Sequence, residues 1–336
     1  MTQRLIYAAA MLGLVFGTSA CGDGDTGNTD AGPREDSGPP VVTCPATAPA
    51  PDNQSGACCA RASNEGRLDA PELRIAALKL TAPQGTLTNA LIQTVLSTAF
   101  DKEDFNWALQ LQGAPTSGTG PVTVRTGYGV RDDATGHFAF ADGNATAPGS
   151  ADRWDPIDLT GTMTDEGFTT TPFHALLTIP VFDPDSATPD IPSIELPIYD
   201  LEVLAAPLAE MRTCIGTRGT SAYSTSSGGR LRGYIQVDDA RGLMVTMGNL
   251  ISTKLCSLIA GAVFMEADGV TPYCDATAQT DWTAKPDSLC SAGGCAKNAS
   301  STTPDVCEPT GAGGTLPACN AWQLLGEFAA QGVDID

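Results

Sequence analysis

The chain has 336 residues, 39 Asp and Glu against 18 Lys and Arg, and a formal charge of −21. So few and scattered basic residues exclude a nucleic-acid partner, which needs a cationic face for the phosphates. They also exclude adhesion to anionic lipid through a polybasic patch; the acidity implies solubility and is compatible with divalent cations at the surface.

The first twenty residues read as an export signal. Met1–Arg4 is a short basic n-region, Leu5–Phe16 is an apolar run broken by Gly13, and Gly17, Thr18, Ser19 and Ala20 are small. The run is shorter than the ~20 apolar residues a permanent membrane helix needs, and the three parts together mark a cleaved signal. Thr18-Ser19-Ala20 suits an ordinary signal peptidase. Thr18-Ser19-Ala20-Cys21 also resembles the lipobox of bacterial lipoproteins, matching it at Ser19, Ala20 and Cys21, with Thr18 where Leu is usual. The resemblance covers the first forty residues or so. It implies that Cys21 is lipidated and that N-terminal acyl chains hold the protein to a lipid bilayer. Gly22 follows the cysteine, where Asp would imply inner-membrane retention, so the resemblance implies the outer membrane of a Gram-negative envelope; plain secretion is the alternative.

Residues 21–43 are rich in Gly, Pro, Ser, Thr and acids. With almost nothing apolar to bury, such a segment is a disordered tether. Asp23-Gly24-Asp25-Thr26-Gly27-Asn28 lacks the ligand spacing and closing Glu of a calcium loop. Roughly 290 residues follow the tether, enough for one large domain or two small ones. They divide into a Cys-containing segment (44–66), a β-rich core (67–270) and a Cys-rich C-terminal segment docked on that core (271–336).

Eleven cysteines become ten once Cys21 is set aside, and an even set can pair completely in an oxidising compartment. Cys44, Cys58 and Cys59 lie at the front, Cys214 and Cys256 in the middle, and Cys274, Cys290, Cys295, Cys307 and Cys319 at the rear. Vicinal Cys58 and Cys59 fit poorly with a mutual bridge. If Cys214 pairs with Cys256, the front group of three must bridge to the rear group, and closing so long a loop would contribute about 4–5 kcal/mol. Cys290-x4-Cys295, Cys307 and Cys319 could be drawn as a zinc site, but they lack Cys-x2-Cys knuckles. Disulfides are the expected fate outside the cytoplasm.

From Arg67 onward the pattern is mostly of short strands, and a mainly β fold, sandwich or barrel-like, with one or two packed helices is expected. Leu73–Leu80 is an apolar run. Thr86–Phe100 has helical period, with Leu87, Leu91, Val95 and Ala99 on one face. Strand character returns over Phe105–Gln112, where Trp107, Leu109 and Leu111 alternate, and through Val122, Val124, Tyr128 and Val130. His137–Ala141, Leu159–Thr164 and Leu176–Phe182 are further strands. Ile194, Leu196 and Ile198 face away from Glu195 and Tyr199; Leu231, Ile235 and Val237 share a face opposite Arg230, Arg232, Tyr234 and Gln236. From Asp239, residues Met244, Met247, Ile251, Leu255 and Leu258 recur at helical spacing and read as one core helix. A Cys214–Cys256 bridge would pin it to the sheet. Residues 271–320 are loop-rich and rely on disulfides, and Val333 and Ile335 fit a closing strand.

The catalytic inventory is thin. His137 sits in a turn-like Thr-Gly-His, and His174 precedes an apolar strand. A nucleophile elbow, a Ser-x-x-Lys motif, a zinc-protease motif and a phosphate loop are all missing from the sequence. Asp132-Asp133, Asp165-Glu166, the Asp183, Asp185 and Asp190 group, and Asp238-Asp239 could hold calcium or supply a glycosidase pair. They read more simply as turn acids. Trp107, Trp154, Trp282, Trp322, Tyr223 and Tyr234 could form a sugar platform, yet dispersed aromatics are the stuff of cores. The expectation is a non-enzymatic envelope lipoprotein that binds an unidentified envelope or extracellular ligand or serves a structural role. An Asp/Glu carbohydrate-active enzyme and a calcium-dependent adhesion module are its rivals.

Overall fold

Alternation of apolar and polar residues along the strands gives this chain an inside and an outside. The computed structural model describes residues 67–83, 105–132, 134–141, 155–181, 194–209, 214–218, 223–247, 251–260, 284–297 and 319–336, with isolated positions between them, and the account below is confined to those residues. The export signal, Cys21, the tether, Cys44, Cys58, Cys59, Cys274 and Cys307 lie outside them.

In chain order the strands begin with β1 (Glu72–Ala82), β2 (Trp107–Gln112), β3 (Gly120–Arg131), β4 (Phe138–Phe140), β5 (Ile157–Met163), β6 (Gly167–Thr170), β7 (Phe173–Val181) and β8 (Ile194–Pro207). Short β9 (Cys214–Ile215), β10 (Thr217–Arg218) and β11 (Tyr223–Ser224) lead into β12 (Gly229–Gln236) and helix α1 (Val237–Gly242). Then come β13 (Met244–Met247), β14 (Ile251–Lys254), helix α2 (Leu255–Ala260), β15 (Phe264–Met265) and β16 (Pro272–Tyr273). The chain ends with β17 (Ser288–Ser291), β18 (Gly294–Lys297) and β19 (Ala321–Gly332). The fold is mainly β, as expected.

The sheet runs β1-β2-β3-β5-β6-β8-β12-β19, and β19 pairs back onto β1 from Leu73↔Gly332 to Ala82↔Leu325. Eight antiparallel strands therefore close into an up-and-down barrel with no free edge in the ring. β6 and β7 flank Pro172, and both pair with β8.

Side chains sort by parity. On β5, Leu159 and Met163 are buried while Asp158, Thr160 and Thr162 are exposed. On β19, Trp322, Leu324, Phe328 and Ala330 join the core cluster, with Gln323 and Glu327 at alternate positions. The cluster also takes Leu109, Leu111, Val122, Val124, Ile198 and Ile235 from the other staves. An eight-stranded barrel is just wide enough for such side chains to fill. Each fully buried Leu, Val or Phe contributes about 1.5–3 kcal/mol, and these interior residues are what hold the barrel together. The outer wall carries Gln110, Gln112, Arg125, Asp158, Arg230 and Arg232. This polarity is the reverse of a membrane-spanning barrel, whose outward face is apolar.

Parity slips twice on β8, at Asp200 and again between Val203 and Ala205, where the pairing with β12 shifts. Asp200 has φ +49, and the register to β7 and β12 shifts around it. Such a bulge lets Leu196 and Ile198 before it and Leu201 and Val203 after it all reach the core.

The expected helix over Met244–Leu258 is corrected. The structure breaks it into α1, an antiparallel hairpin of β13 and β14, and α2. Gly242 ends the first helix, the β-branched Val245, Thr246, Ile251 and Thr253 favour strands, and Gly248-Asn249 between them are turn-forming residue types. Farther up the chain, Leu96, Ala99 and Phe100 are helical and buried in the core, in keeping with the helical period around them. Among the described residues no helix is long and apolar enough to cross a membrane.

All five described cysteines are oxidised. Cys290 and Cys295 face each other across the β17–β18 hairpin and form a bridge, so the zinc reading of these two is corrected. Cys214, Cys256 and Cys319 are also disulfide-bonded. Three is odd, so at least one of them bridges to a cysteine outside the described residues.

Candidate functional site

A concavity of about 510 Å³ lies on the outside of the barrel where β5, β6, β8, β12 and β19 meet. Alternation supplies its walls. Thr162 and Thr169 are outward, exposed cross-strand partners on β5 and β6. Thr164 and Glu166 come from the turn between those strands, and Ala205 and Pro207 from the end of β8. β6 meets β8 over only two rows, Gly167↔Pro207 and Phe168↔Ala206, and the small side chains there leave the wall hollow.

The turn Thr225–Gly228 forms the far rim. The Gly228 N–H donates to the Thr225 carbonyl at 2.9 Å, and the Ser224 and Ser226 hydroxyls lie 2.9 Å apart. A Cβ on Gly228 would stand 2.0 Å from the Phe328 carbonyl oxygen. Only glycine lets this rim lie so close to β19.

Charge enters through register. Arg230 on β12 lies opposite Glu327 on β19, which lies opposite Lys79 on β1. Opposite charges across strands are mildly stabilising. Arg230, Glu327 and Glu166 all line the pocket. With the hydroxyls around them, they can donate and accept hydrogen bonds to a small polar molecule, and their net charge is slightly negative.

A second polar cluster fastens the C-terminal hairpin. Buried Asp200 accepts from the Cys295 backbone N–H through Oδ2, and its Oδ1 lies 2.9 Å from His174 Nδ1. Lys297 pairs with Asp287 at 3.0 Å, and Cys290 N–H donates to Asn320 Oδ1 at 2.7 Å. Tyr199, Tyr234, Cys290, Cys295 and Ala321 pack beneath this strap. A His–Asp pair alone does no nucleophilic chemistry; it needs a nucleophile on the other ring nitrogen, and the neighbouring Cys295 is spent in its disulfide. The pair is a fastening.

The tail is fastened in a similar way. Glu72, buried on β1, accepts from the Gln110 amide at 2.8 Å and from the Ile335 N–H at 2.9 Å, and pairs with Arg67. His137 Nδ1 lies 3.0 Å from Asp336 Oδ1. Val333, Ile335, Phe138 and Ala108 make a small outer cluster there.

Of the acids read as turn residues, Asp132 serves its own turn, while Asp238 and Asp239 lie in the first turn of α1. Asp132 Oδ1 accepts from the Ala134 N–H at 2.8 Å, and these turn hydrogen bonds, the Ala134 one foremost, hold its carboxyl below the usual range. Asp165 accepts from the Gly118 N–H at 2.6 Å. Asp238 pairs with Arg241 on the surface of α1. Asp133, Asp183, Asp185, Asp190, Trp154 and Trp282 lie outside the described residues. Trp107, Trp322 and Tyr234 are buried, so they are not a sugar platform. Among the described residues no three His, Cys, Asp or Glu side chains gather as a metal site.

Tyr199 offers a pH test. Burial, and then its hydroxyl's hydrogen bond to Asp239 with the charge of that carboxylate, raise its pKa above the ordinary tyrosine value. A raised acid binds its proton more tightly folded than unfolded, so its contribution to stability is complete below about pH 10 and is lost as pH climbs through the folded value. Ultraviolet titration of phenolate formation should show one tyrosine ionising late, and Tyr199→Phe should remove that component. A titration curve unchanged by Tyr199→Phe would refute the shift.

Compared with protein-family models, curated proteins and solved structures, the chain matches none.

Proposed function

We propose that the chain is a lipid-anchored protein of the cell envelope whose barrel acts as a binding or structural module, without catalytic chemistry of its own. The observation that carries this reading is the junction at Cys21: an apolar run, small residues, the cysteine, and then an acidic tether with nothing to bury. The barrel supports the second half. Most of its apolar side chains lie inside, its outer wall carries many polar and charged residues, and the pocket on that wall opens to solvent. Both histidines engage carboxylates that fasten segments to the barrel. Gly22 favours the outer membrane as destination.

Acylation contributes ~0.8 kcal/mol per buried CH₂, and stable anchoring takes more than one chain or signal. Wild-type protein should sediment with membranes and yield a mature N-terminal peptide that begins at Cys21 and carries acyl mass. Cys21→Ala should move it to the soluble fraction. Mass spectrometry showing an unmodified Cys21, or cleavage elsewhere, would overturn the anchor.

A further inference from the structure

We infer that the outer-wall pocket is a binding site for a neutral saccharide; this rests on reading the barrel as a binding module and names what that module takes. Three observations carry it. The first is size: about 510 Å³ falls in the range of small-molecule sites, ~300–1,000 Å³. The second is lining chemistry. Thr162, Thr169, Thr225 and Ser227 line the pocket, and each carries a hydroxyl that can donate and accept. The Arg230 guanidinium and the Glu327 and Glu166 carboxylates add charged donors and acceptors. A ligand rich in hydroxyls, every one both donor and acceptor, is the natural complement of such a set. Pro207, with Ala205 beside it, supplies a small apolar face for the C–H side of a sugar ring. The third is that the site is built: Gly228 is required for its rim to lie against β19, and the β12–β19 pairing sets Arg230 opposite Glu327.

Other ligand classes fit less well. Two carboxylates beside one guanidinium oppose a phosphate or other anion. An acyl chain would cover the apolar part of the lining but leave its hydroxyls and three charged groups without partners. A peptide adding as a strand needs a free sheet edge, and the ring of eight paired strands has none at this place.

The test uses the full mature chain carrying Cys21→Ala, so that neither detergent nor anchoring enters, and a failure of the anchor proposal leaves the binding result readable. Calorimetric titration would be run with linear oligosaccharides of the maltose, cellobiose and N-acetylglucosamine series. Inorganic phosphate and a short-chain fatty acid serve as competing classes. At least one neutral series should bind saturably at one site per chain. The double variant Thr162→Val/Thr169→Val keeps β-branched residues on exposed strand positions and so keeps the fold; it should weaken binding about tenfold or more. Arg230→Gln should do the same, while His137→Ala, outside the pocket, should leave affinity unchanged. Thermal melts establish that each variant is folded. Three outcomes each overturn the inference: no neutral series saturates, binding is confined to phosphate or fatty acid, or folded pocket variants bind as tightly as the parent.

Discussion

Trp322→Ala is expected to cost about 3–5 kcal/mol, the usual range for removing a buried aromatic, and so to remove much of the 5–15 kcal/mol that holds a typical domain folded. Trp322 is fully buried on β19, opposite Ile235 on β12, and its indole N–H donates to the Ala284 carbonyl at 2.9 Å. Truncation therefore opens a cavity inside the barrel and orphans a carbonyl of the segment leading into β17. Trp322→Phe separates the two effects, because it keeps most of the bulk and loses the donor; it should cost about 1–3 kcal/mol. Glu327→Ala, outward on the same strand, should fall within ~0.5 kcal/mol of the parent. Urea unfolding with the disulfides intact measures all three. If Trp322→Ala cost less than its Phe counterpart, the indole could not be filling the interior.

The contrast between Trp322 and Glu327 was readable before the barrel was. Alternation along Ile194–Tyr199 and Leu231–Gln236 reports which side of a strand meets water, and that signal is local. Leu196, Ile198 and Ile235 duly lie in the core. The choice between sandwich and barrel is not local: closure depends on Leu73 meeting Gly332, far away along the chain. The same distance hides the pocket. Arg230 could be placed on an outward face, but only the pairing of β12 with β19, distant along the chain, brings Glu327 opposite it. Thr162 and Thr169 become neighbours only through the pairing of β5 with β6. The helix expected over Met244–Leu258 failed for a different reason. In short segments, Met and Leu at helical spacing also suit two short helices and a hairpin, and Gly242 and the β-branched residues carried the decision. Among the cysteines, parity spoke for complete pairing, and all five described ones are oxidised; which residues they reach is a property of the folded chain.

Gly167→Ala should be the most damaging small substitution on the barrel wall, costing about 3 kcal/mol or more. Gly167 opens β6 with φ +154, a region that is essentially glycine's alone and costs other residues about 1–3 kcal/mol. It also pairs with Pro207 in one of the two rows that join β6 to β8. A Cβ there would stand 2.1 Å from the Ala206 carbonyl oxygen and 2.8 Å from the Pro207 Cα. Backbone cannot rotate away as a side chain can, so the strands must part, and they part at the seam that floors the pocket. Gly113→Ala is the control that isolates this effect. Gly113 also has positive φ, +67, but a Cβ on it would meet nothing within 4 Å, so it should pay only the left-handed penalty of about 1–2 kcal/mol. The difference between the two variants in urea unfolding measures the close approach of β6 to β8. Equal losses would mean that the β6–β8 seam yields without resistance. A larger loss at Gly167, accompanied by weakened saccharide binding in protein that still melts cooperatively, would tie the pocket's shape to the narrowest pairing in the ring.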